Sequence, residues 1–100
     1  MKNTFEWDRN KATSNYAKHG ISFDEAKGVF RDSFAIEELD DREDYGEDRY
    51  TLIGLAGNKL LFVAYTERGE NIRLISARKA DKDEQDEYYR QKATGWGGVE

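Results

Sequence analysis

The sequence predicts an α+β domain in which two N-terminal helices pack on one face of an antiparallel sheet and a C-terminal helix closes the chain. Three observations carry this. Helix-start signals stand at Asp8, Ser22 and Asp81, the first two between a short extended segment and the later strand-like runs, the third after those runs. Two apolar runs, 50–56 and 59–67, flank Gly57 and Asn58, a pair whose leading glycine suits a two-residue type II′ hairpin turn. A third strand-like run, 72–78, follows Gly69 closely enough to continue an antiparallel meander.

In chain order, residues 4–7 are short, aromatic and extended in character, and Asp8 stands as N-cap of a helix to Lys18. Gly20 follows as a residue able to take the left-handed conformation that ends helices. Ser22 and Glu25 form a capping-box pattern, so a second helix starts at Phe23. Its apolar face is Phe23, Ala26, Val29 and Phe30, and it ends near Arg31. Residues 34–39 resemble a short strand. The run 60–65 is apolar on both faces, as a covered central strand requires. Asp81 and Glu84 repeat the capping pattern for a last helix to about Lys92. Tyr88 and Tyr89 are almost its only apolar residues, which predicts loose docking. One domain over 1–93 and a frayed tail over 94–100 are expected.

Composition narrows the chemistry. There is no cysteine and a single histidine, so neither a disulfide framework, a thiolate zinc site nor a histidine-based metal site is available, and no cofactor motif is present. The chain opens without the apolar run of a signal peptide and holds no stretch of about 20 apolar residues, which predicts a cytoplasmic protein. A net charge of −5 argues at first against a nucleic-acid ligand. The charge is segregated, however. Residues 37–49 hold eight acids against Arg42 and Arg49, a local −6 that reads as a solvated, mobile connection, while residues 59–82 carry a local +3.

The residues that suggest chemistry are cations on strands: Arg68 at the end of one, Arg73 inside the next, and Arg78 with Lys79 at its end. Guanidinium forks match phosphate oxygens and stabilise the charge that gathers on phosphorus during RNA cleavage. The ordinary alternative is pairing with Glu67, Glu70 or the acidic loop. Strand alternation puts Arg73 and Arg78 on opposite faces unless a bulge intervenes, and antiparallel pairing puts Arg68 and Arg78 at opposite ends. His19 follows Lys18 at a helix C-terminus, where it can move a proton or simply meet the last carbonyls. Trp7 can stack on a base or belong to the core. Glu67 can take a proton from a ribose hydroxyl or pair with its neighbour Arg68.

Taken together, Phe5 to Asp8, Lys11, the run from Lys18 to Ala26, Arg49 with Tyr50, the run from Tyr65 to Arg68, the run from Arg73 to Ala80, Glu84, and Tyr88 with Tyr89 resemble the BrnT ribonuclease toxins of bacterial type II toxin–antitoxin pairs in order and spacing. The resemblance spans about residues 5–89. It implies a RelE-like fold and metal-independent endoribonuclease activity that arrests translation. It also implies neutralisation by a BrnA-type ribbon-helix-helix antitoxin in a toxin–antitoxin heterotetramer, with promoter DNA bound only through the antitoxin. By position, Arg68 and Arg78 become the first catalytic candidates and Lys18, His19 and Glu67 the next. Trp7, Lys11, Arg73 and Lys79 are candidates for holding RNA. The acidity of this chain departs from the pattern and keeps a second reading in view: a non-catalytic interaction module, or an inactivated toxin that only binds its antitoxin.

Overall fold

The computed structural model describes residues 4–95. Strand β1 (Thr4–Glu6) leads into helix α1 (Arg9–His19), α2 (Phe23–Ala26) and a 3₁₀ segment (Lys27–Arg31). Strands β2 (Ile36–Asp40), β3 (Arg49–Ala56), β4 (Lys59–Arg68) and β5 (Asn71–Lys79) follow, and α3 (Lys82–Gly95) closes the chain. The five strands form one sheet in the order β1-β5-β4-β3-β2. All neighbours are antiparallel except β1, which pairs in parallel with Asn71, Ile72 and Arg73 of β5.

The local signals act where the sequence puts them. Asp8 accepts the Lys11 backbone N–H at 2.9 Å, and Gly20 takes the left-handed conformation at φ 73°. Ser22 and Glu25 complete their capping box, as do Asp81 and Glu84. Gly57 has φ 64° while Asn58 does not share a positive φ, as a type II′ turn requires. The second helix, expected as one element to Arg31, instead tightens into a 3₁₀ segment after Ala26. That change still buries Phe23, Ala26 and Val29 against the sheet.

One face of the sheet and the segments α2 and 27–31 enclose the main core, with Leu52, Leu61, Val63, Tyr65, Ile72, Leu74 and Ala77 supplying the sheet side. An aromatic file runs through it: Phe5 meets Phe30 edge-on at 5.1 Å, Phe30 meets Tyr65 at 5.0 Å, and Tyr65 stacks on Tyr50 at 5.5 Å. The acidic run is not merely a solvated connection. Its first part is the edge strand β2. Beyond it, Arg42 clamps Asp40 with two hydrogen bonds of 2.8 and 2.9 Å, and Arg49 stacks on Tyr45 at 4.1 Å. The Arg42 side chain holds the Asp40 carboxyl down at about 2.

Loose docking of the last helix is corrected by the structure. Tyr88 is fully buried, and its hydroxyl donates to Asp32 at 2.5 Å. The same carboxylate accepts the Leu55 N–H at 2.8 Å and the Phe34 N–H at 2.9 Å, so one side chain ties α3, β3 and the segment before β2 together. The helix also continues past Lys92 to Gly95, which takes Thr94 and Gly95 out of the expected tail; the remainder of that tail lies outside the described residues.

Burial alone would raise the Asp32 pKa, but the Tyr88 hydroxyl and the two amides outweigh it and leave the pKa lowered. A depressed carboxylate contributes stability that is complete above its unfolded pKa of about 3.9 and lost as pH falls through the folded value. Tyr88→Phe is therefore expected to destabilise the fold by about 2 kcal/mol at neutral pH, and Asp32→Asn to flatten part of the loss of stability below about pH 4. Urea midpoints between pH 6 and pH 3 check both.

Candidate functional site

The opposite face of the sheet, bordered by α3 at Glu84, carries the strand-borne arginines. What aligns them is a β-bulge. In the pairing of β4 with β5, Ala64 faces Ser76 but the next residue, Tyr65, faces Leu74, so Ile75 is the extra residue. Strict alternation would separate Arg73 from Arg78. The extra residue reverses the parity, and Arg73, Ser76 and Arg78 stand opposite Thr66, Ala64 and Phe62 on one open face.

The bulge is held from outside by α1. β1 pairs β5 only as far as Arg73, and beyond it the buried side chain of Asn15 takes the place of a neighbouring strand. Its amide nitrogen donates to the Ala77 carbonyl at 2.8 Å, its amide oxygen accepts the Ala77 N–H at 3.0 Å, and the nitrogen also donates to the Ile21 carbonyl at 3.0 Å. The sequence reading missed Asn15. Its signal was position: Ala12, Asn15 and His19 share one stripe of α1, and a polar residue amid a stripe that faces the sheet must satisfy backbone groups there.

Two concave surfaces meet at this bulge. A groove of about 360 Å³ between α1 and β5 is lined by Lys11, Asn15, Lys18, His19, Ile75 and Ser76, with no carboxylate among the described residues of its wall. A cleft of about 610 Å³ over β2 to β5 is lined by Ser76, Phe62 and Arg78 together with Glu38, Asp40, Asp41 and Glu84. Ser76 belongs to both. Lys11 and Lys18 are exposed and His19 is half-buried, so the groove presents positive charge to solvent next to Arg78.

Arg78 is held on three sides. Its guanidinium lies over the Phe62 ring at 4.2 Å, pairs with both Glu84 oxygens at 2.9 Å, and reaches the Lys79 carbonyl at 3.0 Å. The Glu84 carboxylate raises its pKa further, against the opposing effect of burial.

The other candidates fall elsewhere. Arg68 faces Asn71, six positions along β4 from Phe62, or about 20 Å at the usual strand rise of ~3.3 Å per residue. Its contact with Glu47 is loose, at 3.9 Å, and it is exposed. Arg73, at the same end, pairs with Glu6 at 2.9 Å, and Asn71 donates to the same carboxylate at 2.8 Å, which accounts for an arginine in mid-strand. Glu67 is opposite Ile72, on the other face of β4 from Arg68. Trp7 packs edge-on against Phe23 at 5.8 Å, flanking the core. Lys79 is exposed beside Lys59 and Tyr89, at the hairpin end of the sheet. The structure thus gathers Lys11, Lys18, His19 and Arg78 around Ser76 and leaves Arg68, Arg73 and Glu67 at the far end.

A comparison with family models matches residues 7–84 to the ribonuclease toxin BrnT of type II toxin–antitoxin systems. The chain belongs to that family. The matched span contains the α1 groove, the bulge and Glu84. BrnT membership makes it a ribonuclease toxin with an antitoxin partner and RNA as its substrate. A comparison with curated proteins gives no significant match. Among the described residues of this BrnT domain, no group of three or more acidic, histidine or cysteine side chains is arranged to hold a metal ion, and no helix is long and apolar enough to cross a membrane.

Proposed function

We propose that the protein is a metal-independent endoribonuclease that cleaves RNA at the junction of the α1 groove and the Arg78 cleft, arresting translation. The observation that carries this reading is the carboxylate-free groove of Lys11, Lys18 and His19 opening at Ser76 onto Arg78. The RNA backbone runs along α1, where phosphates meet cations only. The acidic wall of β2 repels the strand and keeps it to the α1 side.

In the proposed reaction the ribose 2′-oxygen attacks the adjacent phosphorus and gives up its proton. The 5′-oxygen of the next nucleotide leaves and takes a proton, giving a 2′,3′-cyclic phosphate and a free 5′-hydroxyl. Lys18 and Arg78 oppose the charge that builds on the phosphoryl oxygens. His19 is the group in the groove whose imidazole can pass a proton between the two oxygens. In the cell, a BrnA-type ribbon-helix-helix antitoxin neutralises the toxin in a heterotetramer and alone contacts promoter DNA, in the cytoplasm where both RNA and antitoxin are found.

The test is induction of the chain without an antitoxin. Growth arrest is expected, with cellular RNA cut to fragments bearing 2′,3′-cyclic phosphate ends. Normal growth with intact RNA, from a soluble and folded protein, would reject the reading. That outcome selects the second one, an inactivated toxin or interaction module, which the ion pairs at Arg73 and Arg78 favour.

A further inference from the structure

We propose that Glu84 is a positioning residue: from the first turn of α3 it holds the Arg78 guanidinium so that one edge of the fork stays open for an RNA phosphate. The inference rests on Arg78 being a phosphate ligand.

A guanidinium has five N–H donors in one plane. In Arg78 one Nη1 proton goes to the Lys79 carbonyl and the other to Glu84 Oε1, while one Nη2 proton goes to Glu84 Oε2. Among the described residues, what remains without a partner is Nε–H and the second Nη2 proton. These lie side by side on one edge of the plane, the spacing that matches two oxygens of a phosphate. The Phe62 ring beneath fixes the tilt of that plane, and about a third of the side chain is open to the cleft, at 35%. An arginine already held in place loses little rotamer freedom when it binds, whereas a free one pays that entropy at each encounter.

Glu84 is itself fixed. Its Oε1 also accepts the Asp81 N–H at 2.9 Å, and its own N–H donates to Asp81 Oδ1 at 2.9 Å. One turn on, Tyr88 pins the helix to Asp32. The orientation of Arg78 therefore follows from how α3 is seated on the sheet, through a single carboxylate.

The double role of Glu84 decides the variant. Glu84→Ala would also remove the helix cap, but Glu84→Gln keeps a capping-box acceptor while losing the charge and the two-oxygen clamp. Initial RNA cleavage rates are measured in a translating bacterial extract, which offers both free and ribosome-bound RNA. The arms are the unaltered protein, Glu84→Gln, Arg78→Ala and the double variant. Glu84→Gln is expected to be about tenfold slower and Arg78→Ala about 100-fold slower, with the double variant no slower than Arg78→Ala alone and melting temperatures within a few degrees. A merely structural role predicts losses that multiply in the double variant, and that result overturns the proposal. So does a Glu84→Gln rate equal to or above that of the unaltered protein, while a slow Arg78→Ala keeps the site itself intact. If Arg78→Ala cleaves normally, or the unaltered protein does not cleave, the reading of the site fails and this proposal with it.

Discussion

Arg78→Ala is expected to abolish growth arrest on induction and to slow RNA cleavage by about 100-fold or more, a loss of about 3 kcal/mol in transition-state stabilisation. The reason is location. Arg78 stands next to Ser76, where the cationic α1 groove opens, and its guanidinium keeps two protons for a ligand after its internal bonds are made. A surface ion pair alone, worth about 1 kcal/mol or less, would not produce such a loss. Arg68→Ala is the contrast. It removes an equally charged side chain from the far end of the face and is expected to change cleavage by less than about threefold, through weaker general attraction for RNA. Rates normalised to soluble toxin check the pair. Equal losses from both would mean that RNA spans the whole face and that the junction at Ser76 is not where it is cut.

Asn15→Leu is expected to cost the fold about 3 kcal/mol or more. The substitution keeps roughly the volume but strips partners from the Ala77 N–H, the Ala77 carbonyl and the Ile21 carbonyl, each a buried backbone group. Leaving such a group unpaired costs about 1 to 3 kcal/mol. In a domain of this size each kcal/mol lowers the melting temperature by about 4 to 8 °C, so a fall on the order of 15 °C should be seen by thermal denaturation. Because Asn15 also holds β5 beside the bulge, RNA cleavage at a temperature where the variant is still folded should fall as well. A variant that melts like the unaltered protein would mean that water or a backbone shift replaces those bonds.

The acidity that set the chain apart as a sequence has a place in the structure. Of the eight acids in 37–49, Asp40 is clamped by Arg42, Glu47 contacts Arg49, and Glu38, Asp40 and Asp41 wall the cleft on the side away from α1. The charge is spread along one border of the open face and leaves the groove of Lys11, Lys18 and His19 uncovered.

The sequence by itself determined what depends on neighbours in the chain. The caps at Asp8, Ser22 and Asp81, the turn at Gly57 and Asn58, the order of strands and helices and the family signature are all local patterns, and each appears in the fold where the residues put it. It also put Arg68 and Arg78 at opposite ends of their paired strands, where the register has them. Tertiary structure decided the rest. Whether Arg73 and Arg78 share a face turned on one extra residue at Ile75, which only the pairing of β4 with β5 reveals. The weight of Asn15, the seating of α3 on Asp32 and the hold of Glu84 on Arg78 all join groups distant in sequence or brought to one point by the sheet. Caps and turns answer to backbone geometry within a few residues, whereas a site of this kind answers to register, and one inserted residue changes which side chains meet.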